Sequence, residues 1–100
     1  MDIEKIKKAV KKKNCYTYHA IQKMIDRDIN TSDIREAIES GEVIEEYPRV
    51  KYGPSCLIFG FTRMNRPIHL LVSYSDPFWV ITAYEPSNRE WINFRKRKIK

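Results

Sequence analysis

The chain has 100 residues, 42% of them hydrophobic and twelve aromatic, with three glycines and a formal net charge of +6. A chain of this size forms one domain that buries about two-thirds of its unfolded surface, and its composition excludes a disordered polymer. No apolar run approaches the roughly 18 residues needed to span a bilayer, which excludes a membrane-spanning helix.

The opening residues Met1-Asp2-Ile3-Glu4-Lys5 lack the apolar stretch and small-residue cleavage site of a signal peptide, so the cytoplasm is the expected location. Residues 1–13 carry six lysines against Asp2 and Glu4, a local charge of +4. Their apolar positions Ile3, Ile6 and Val10 recur at helical spacing, which predicts a basic amphipathic helix with lysines outward. Cys15 and Cys56 stand far apart without Cys-x-x-Cys spacing, and two histidines fifty residues apart give no zinc spacing. Reduced buried thiols and no metal are expected.

A second helix is predicted from about Thr17 to Asp28. A helix turns about 100° per residue, so His19, Lys23 and Arg27 occupy roughly 80° of one surface. Ala20, Ile21, Met24 and Ile25 cluster beside that cationic stripe and are expected to face the core. A third helix is predicted with Thr31 as N-cap, Ile34, Ala37 and Ile38 on its apolar face, and a left-handed Gly41 ending it.

From Glu42 the period becomes strand-like. Glu42 to Tyr47 is a first strand, stopped by Pro48; Gly53-Pro54 turns into Ser55 to Thr62. Arg63-Met64-Asn65-Arg66 reads as a tight hairpin, with Asn65 tolerating positive φ. Pro67 to Tyr74 alternates, Ile68, Leu70 and Val72 on one side and His69, Leu71 and Ser73 on the other. Asp76-Pro77 turns again before a last strand, Phe78 to Glu85. Short connections imply antiparallel neighbours, and helices followed by strands imply an α+β domain. The expected architecture is two to three N-terminal helices on a four-stranded antiparallel sheet. The chain is one domain: a basic helix over residues 1–13, a core over 14–94 and a tail over 95–100.

The tail holds Arg95, Lys96, Arg97, Lys98 and Lys100 and no acid, +5, whereas residues 14–94 sum to −3. Basicity therefore sits at the two ends. A nucleic-acid partner is favoured if those ends converge or the tail acts as a mobile arm; otherwise they are a solvated helix face and a frayed terminus.

The segments His19-Ala20…Met24…Arg27-Asp28-Ile29, Ile38-Glu39-Ser40-Gly41-Glu42-Val43-Ile44, Asn65-Arg66-Pro67-Ile68-His69-Leu70 and Ile81-Thr82-Ala83-Tyr84-Glu85-Pro86, followed by Trp91, resemble the DUF 4258 domain family. The resemblance implies a small α+β fold related to the RelE-like and barnase-like ribonucleases. It further implies a toxin of a toxin–antitoxin pair, with an antitoxin protein encoded alongside as partner; RNA is the expected substrate, with no cofactor and no membrane. The matching positions are His19, Arg27, Arg66, His69 and Tyr84.

Metal-independent RNA cleavage needs a base for the 2′-hydroxyl proton, an acid for the leaving 5′-oxygen and cations for the phosphate. Histidine is the side chain suited to both duties, so His19 and His69 are the expected base and acid. Arg27 and Arg66, with Arg63, can clamp phosphate bidentately. Tyr84 can donate a hydrogen bond or stack a base, and Glu85 can orient a histidine or act as base. Lys23, Arg63 and the tail residues Arg95, Lys96, Arg97 and Lys98 are the expected nucleic-acid contacts.

Each candidate also has a structural reading. His69 fits a satisfied half-buried histidine, and His19 a first-turn cap. Arg27 fits a pair with Asp28 or Asp33, Arg63 and Arg66 fit solvated edge charges, and Tyr84 fits sheet packing. Trp79 and Trp91 read as core anchors. The nuclease expectation requires both imidazoles and at least one guanidinium in one solvent-open hollow. Placed on opposite sides of the sheet, they leave the alternative, a non-catalytic RNA-binding or protein-interaction module.

Overall fold

The structure, a computed structural model, describes residues 3–12, 14–48, 54–73, 78–87 and 89–97. Gly53, the Asp76-Pro77 turn and Lys98 lie outside the described residues. In chain order the elements are α1 (Ile3–Lys12), β1 (Asn14–Tyr16), α2 (Tyr18–Asp26), α3 (Thr31–Glu39), β2 (Glu42–Tyr47), β3 (Ser55–Phe61), β4 (Pro67–Ser73), β5 (Phe78–Tyr84), β6 (Trp91–Ile92) and β7 (Lys96–Arg97).

The first five strands form one sheet in the order β1-β5-β4-β3-β2. Strands β2 to β5 are an antiparallel meander, as their short connections require. The sheet is nevertheless mixed and five-stranded, because β1 pairs in parallel with β5. Three residues are too few to show a period, so Asn14-Cys15-Tyr16 carries no strand signature; the open edge of β5 supplies it. β6 and β7 form a separate two-stranded ribbon.

Alternation along the strands sets two faces. Ile58, Ile68, Leu70 and Val80 point to the helices and meet Ile6, Ala20, Met24, Ile34, Ala37 and Ile38 in the main core. Each such isoleucine or leucine contributes about 1.5–3 kcal/mol relative to an exposed one. The helix α3 lies very close to β3. A Cβ on Gly60 would stand 1.8 Å from the Ala37 carbonyl oxygen, so only a glycine admits the helix there. The other face carries Leu57, Phe59, His69 and Tyr84, and Trp91 and Phe94 pack against it.

Local chemistry explains the helix ends. Thr17 caps α2: its hydroxyl oxygen accepts from the Ala20 amide at 3.0 Å and its hydroxyl donates to the Ile81 carbonyl at 2.9 Å. The same helix ends in a Schellman motif, with Ile29 N–H on the Met24 carbonyl at 2.9 Å and Asp28 left-handed at φ 54°. The N-cap of α3 is Asn30, one residue before the expected Thr31, because Asn30 and Asp33 form a reciprocal capping box. Gly41 does not end α3 in a left-handed conformation; Ser40 is the C-cap, and Gly41 is small because Ala37 and Ile58 crowd it. Asn65 does take positive φ, 61°.

Ile21 and Ile25 do not join the core. Ala20 and Met24 are buried, but Ile21 is 45% and Ile25 74% exposed, and Tyr18 beside them is 76% exposed. The α2 helix runs along β5 and so buries one narrow stripe, where the expectation assumed a broad one.

Candidate functional site

Arg27, Arg66, Tyr84, Glu85, Ser87, Glu90 and Trp91 line a cleft of 540 Å³ at the end of β5. Four of the six expected catalytic residues therefore meet there, by three routes. The Schellman turn brings Arg27 to the rim, where Nη1 donates to the Ala83 carbonyl at 2.8 Å while the side chain stays exposed. The β3–β4 hairpin delivers Arg66. The last residues of β5 supply Tyr84 and, just beyond it, Glu85.

Arg66 is fully engaged. Its Nη1 and Nη2 donate to the Asp28 and Arg27 carbonyls at 2.5 and 2.6 Å, its Nε pairs with Glu85, and Asp33 stands 3.8 Å from Nη1. Those two carbonyls are the ones a left-handed helix ending leaves without intrahelical partners, and a guanidinium there also faces the negative end of the helix dipole. Arg66 thus ties α2 to the sheet, and it is no solvated edge charge. Glu85 pairs with Arg66 and orients no histidine.

The two histidines do not meet. His19 is exposed on α2, on the helix-bearing side. His69 alternates with Ile68 and Leu70 and so points to the other side, where it is 0% exposed. Its ring stands edge-on to Trp91, centroids 4.4 Å apart, and to Tyr84 and Phe59. The requirement of two imidazoles in one hollow fails, and with it the nuclease expectation in the form given above; any ribonuclease activity has to rest on other groups of the cleft, Arg27 and Tyr84.

What His69 has instead is a defined set of partners. Nε2 lies 2.6 Å from the Phe94 carbonyl and Nδ1 3.1 Å from the Tyr84 hydroxyl. Burial lowers its pKa, opposed by the Phe94 carbonyl and by Glu45. Burial pushes the Tyr84 phenol up to about 12, against the pull of Arg97.

The covered sheet face holds residues that the sequence reading passed over. Glu45 pairs with Arg97 at 3.0 Å and accepts from the Tyr47 hydroxyl. Desolvation raises its pKa, but Arg97 and Tyr47 outweigh that and hold the carboxyl below its ordinary value. Glu42 and Glu45, three residues apart across a β-bulge in β2, pair with Arg95 and Arg97 more than fifty residues on, a link visible only once the ribbon's position is known.

The expected nucleic-acid contacts scatter. Lys23 is half-buried on α2 and Lys96 exposed on β7. Arg63 stands 3.5 Å from Glu36. Arg95 pairs with Glu42 and lies over the Phe59 ring, and Arg97 lies over Trp91. The described part of the tail is therefore bound to the sheet and not frayed. The α1 helix packs on the helix-bearing core through Ile6, so α1 and the described tail residues Arg95, Lys96 and Arg97 lie on opposite sides of the sheet.

Among the described residues no cluster of three or more His, Cys, Asp or Glu side chains could hold a metal ion. Both cysteines are free thiols, and no described helix is long and apolar enough to cross a membrane.

An α+β domain with a cleft at the sheet's end defines an architecture and not yet a family. Comparison with known families matches residues 16–85 to the one described as "Domain of unknown function (DUF4258)", well over half the chain, and the chain belongs to that family. No curated protein and no solved structure matches it.

Proposed function

We propose that this domain acts on RNA as an endoribonuclease of the toxin type, through the cleft at the end of β5, without cofactor and by attack of the ribose 2′-hydroxyl. The observation that carries this reading is that Tyr84, hydrogen-bonded to the buried imidazole of His69, lines the same cleft as Arg27. Arg27 contacts the phosphate and stabilises charge as it builds, while Tyr84 exchanges a proton with the reacting oxygen. Arg66 and Glu85 shape the rim. Incubating the purified chain with a single-stranded RNA oligonucleotide in chelator tests the reading. Fragments ending in 2′,3′-cyclic phosphate support it, with growth arrest on expression relieved by an antitoxin encoded alongside; intact RNA contradicts it.

A second reading, a non-catalytic protein-interaction module, is favoured by one observation. Tyr18, Ile21 and Ile25 form an exposed apolar stripe at i, i+3, i+7 spacing on α2, the geometry with which one helix meets another. A chain that leaves RNA intact and loses its partner on Ile25→Ser supports this second reading.

A further inference from the structure

We propose that Tyr84 and His69 form a proton relay, in which the buried imidazole serves the cleft through the phenol and the Phe94 carbonyl fixes the imidazole's tautomer. The inference rests on the ribonuclease reading given above. A carbonyl only accepts, so the 2.6 Å contact requires the proton on Nε2. A neutral imidazole then has its lone pair on Nδ1, and the Tyr84 hydroxyl must donate to it. Acid–base group, partner and orienting acceptor thus stand in one line.

The orienting carbonyl is held by a built device. Asn93 and Phe94 have φ of 52° and 62°, and the Arg95 amide closes the turn on the Ile92 carbonyl at 3.1 Å. Two left-handed residues suit a tight hairpin, but a bulky phenylalanine there is strained by about 1–3 kcal/mol. In that conformation the carbonyl meets His69, and the Phe94 ring packs on Phe59. Arg97, paired with Glu45, closes over Trp91 and pins the ribbon. Residues 89–97 lie beyond the family-matched stretch, so this chain's own C-terminal segment supplies the lock.

In the step, the 2′-hydroxyl proton passes to Tyr84 Oη as the phenolic proton passes to Nδ1. The 2′-oxygen pair forms the new P–O bond, the P–O5′ bond breaks with its electron pair, and the 5′-oxygen takes a proton from water. The hydroxide so formed is neutralised when His69 returns its proton through Tyr84. Burial keeps the resting proton on the phenol, so the transfer is concerted and passes through no free tyrosinate. The titratable and charged groups facing the imidazole are Glu45 from β2, Tyr84 from β5 and Arg97 from β7; Glu45 favours the imidazolium and Arg97 opposes it. Tyr84 is the catalytic residue, and His69 a positioning residue that acts through it.

His69→Gln tests the relay, because the amide keeps both hydrogen bonds but takes up no proton. His69→Gln and Tyr84→Phe should bind the RNA oligonucleotide as the parent does and cleave it at least about 100-fold more slowly. The acidic limb of the parent's pH–rate profile should vanish in His69→Gln, and nitrogen NMR of the parent should find His69 protonated at Nε2. Parent-like cleavage by either variant, or a proton on Nδ1, overturns the relay. Should His69→Gln not fold, Tyr84→Phe and the tautomer decide. A parent chain that binds RNA without cutting it fails the ribonuclease reading first, and the relay with it.

Discussion

Tyr84 Oη and His69 Nδ1 stand 3.1 Å apart across the adjacent strands β5 and β4, which gives an imidazole with no solvent exposure an outlet into an open cleft. The arrangement separates two tasks that an exposed histidine would combine. The protein interior sets the proton affinity of the imidazole, while half-buried Tyr84 lines the cleft.

Stability should depend on pH through His69. Its folded pKa lies below the ordinary 6.5, so between those values the unfolded chain binds more protons than the folded one. The stability from this group is complete above pH 6.5 and declines as pH falls toward the folded value. Thermal melts should therefore show Tm falling from pH 7 to pH 5, and a folded His69→Gln should flatten that slope. An equal slope in both chains would remove the imidazole from the account.

Arg66→Ala should cost about 1.5–3 kcal/mol, the range for hydrogen bonds to a charged group, because two helix-end carbonyls and Glu85 lose their partner together. Chemical denaturation measures it. Arg66→Lys should recover only part of the loss, since an ammonium cannot span both carbonyls and the carboxylate with a planar fork.

Gly60→Ala should be among the most damaging single changes. Its methyl would fall on the Ala37 backbone, which yields only if α3 leaves β3. A loss of about 3 kcal/mol or more is expected, lowering Tm by more than about 12 °C in a domain this size. Near-native melting would mean that α3 docks less closely than described.

Asp28→Gly should stabilise the chain. The residue sits at φ 54°, which costs an L-residue about 1–2 kcal/mol and a glycine little. The greater unfolded freedom of glycine offsets part of this, leaving a gain of about 0.5 kcal/mol by denaturation.

Much of the fold was legible because its signals are local. Strand β2 runs over the expected Glu42–Tyr47, β3 and β5 each end one residue short of expectation, and β4 follows expectation from Pro67 to Ser73, its expected last residue Tyr74 lying outside the described residues. The alternation of Ile68, Leu70 and Val72 against His69 gave the correct faces. What escaped depends on remote partners. β1 exists only because β5 has an edge, and Ile25 is exposed only because α2 buries a narrow stripe. In the site, Arg27, Arg66, Tyr84 and Glu85 line one cleft without the two histidines expected beside them, and the partner that defines His69 is a carbonyl twenty-five residues away. A backbone acceptor leaves no mark in the residue type, so no reading of side chains finds it.

The most direct test compares the parent and Tyr84→Phe on one end-labelled single-stranded RNA in chelator, with binding followed in parallel. The parent should yield cyclic-phosphate fragments, and the variant should bind undiminished with cleavage reduced by at least about 100-fold. Equal cleavage by the two chains would contradict the relay.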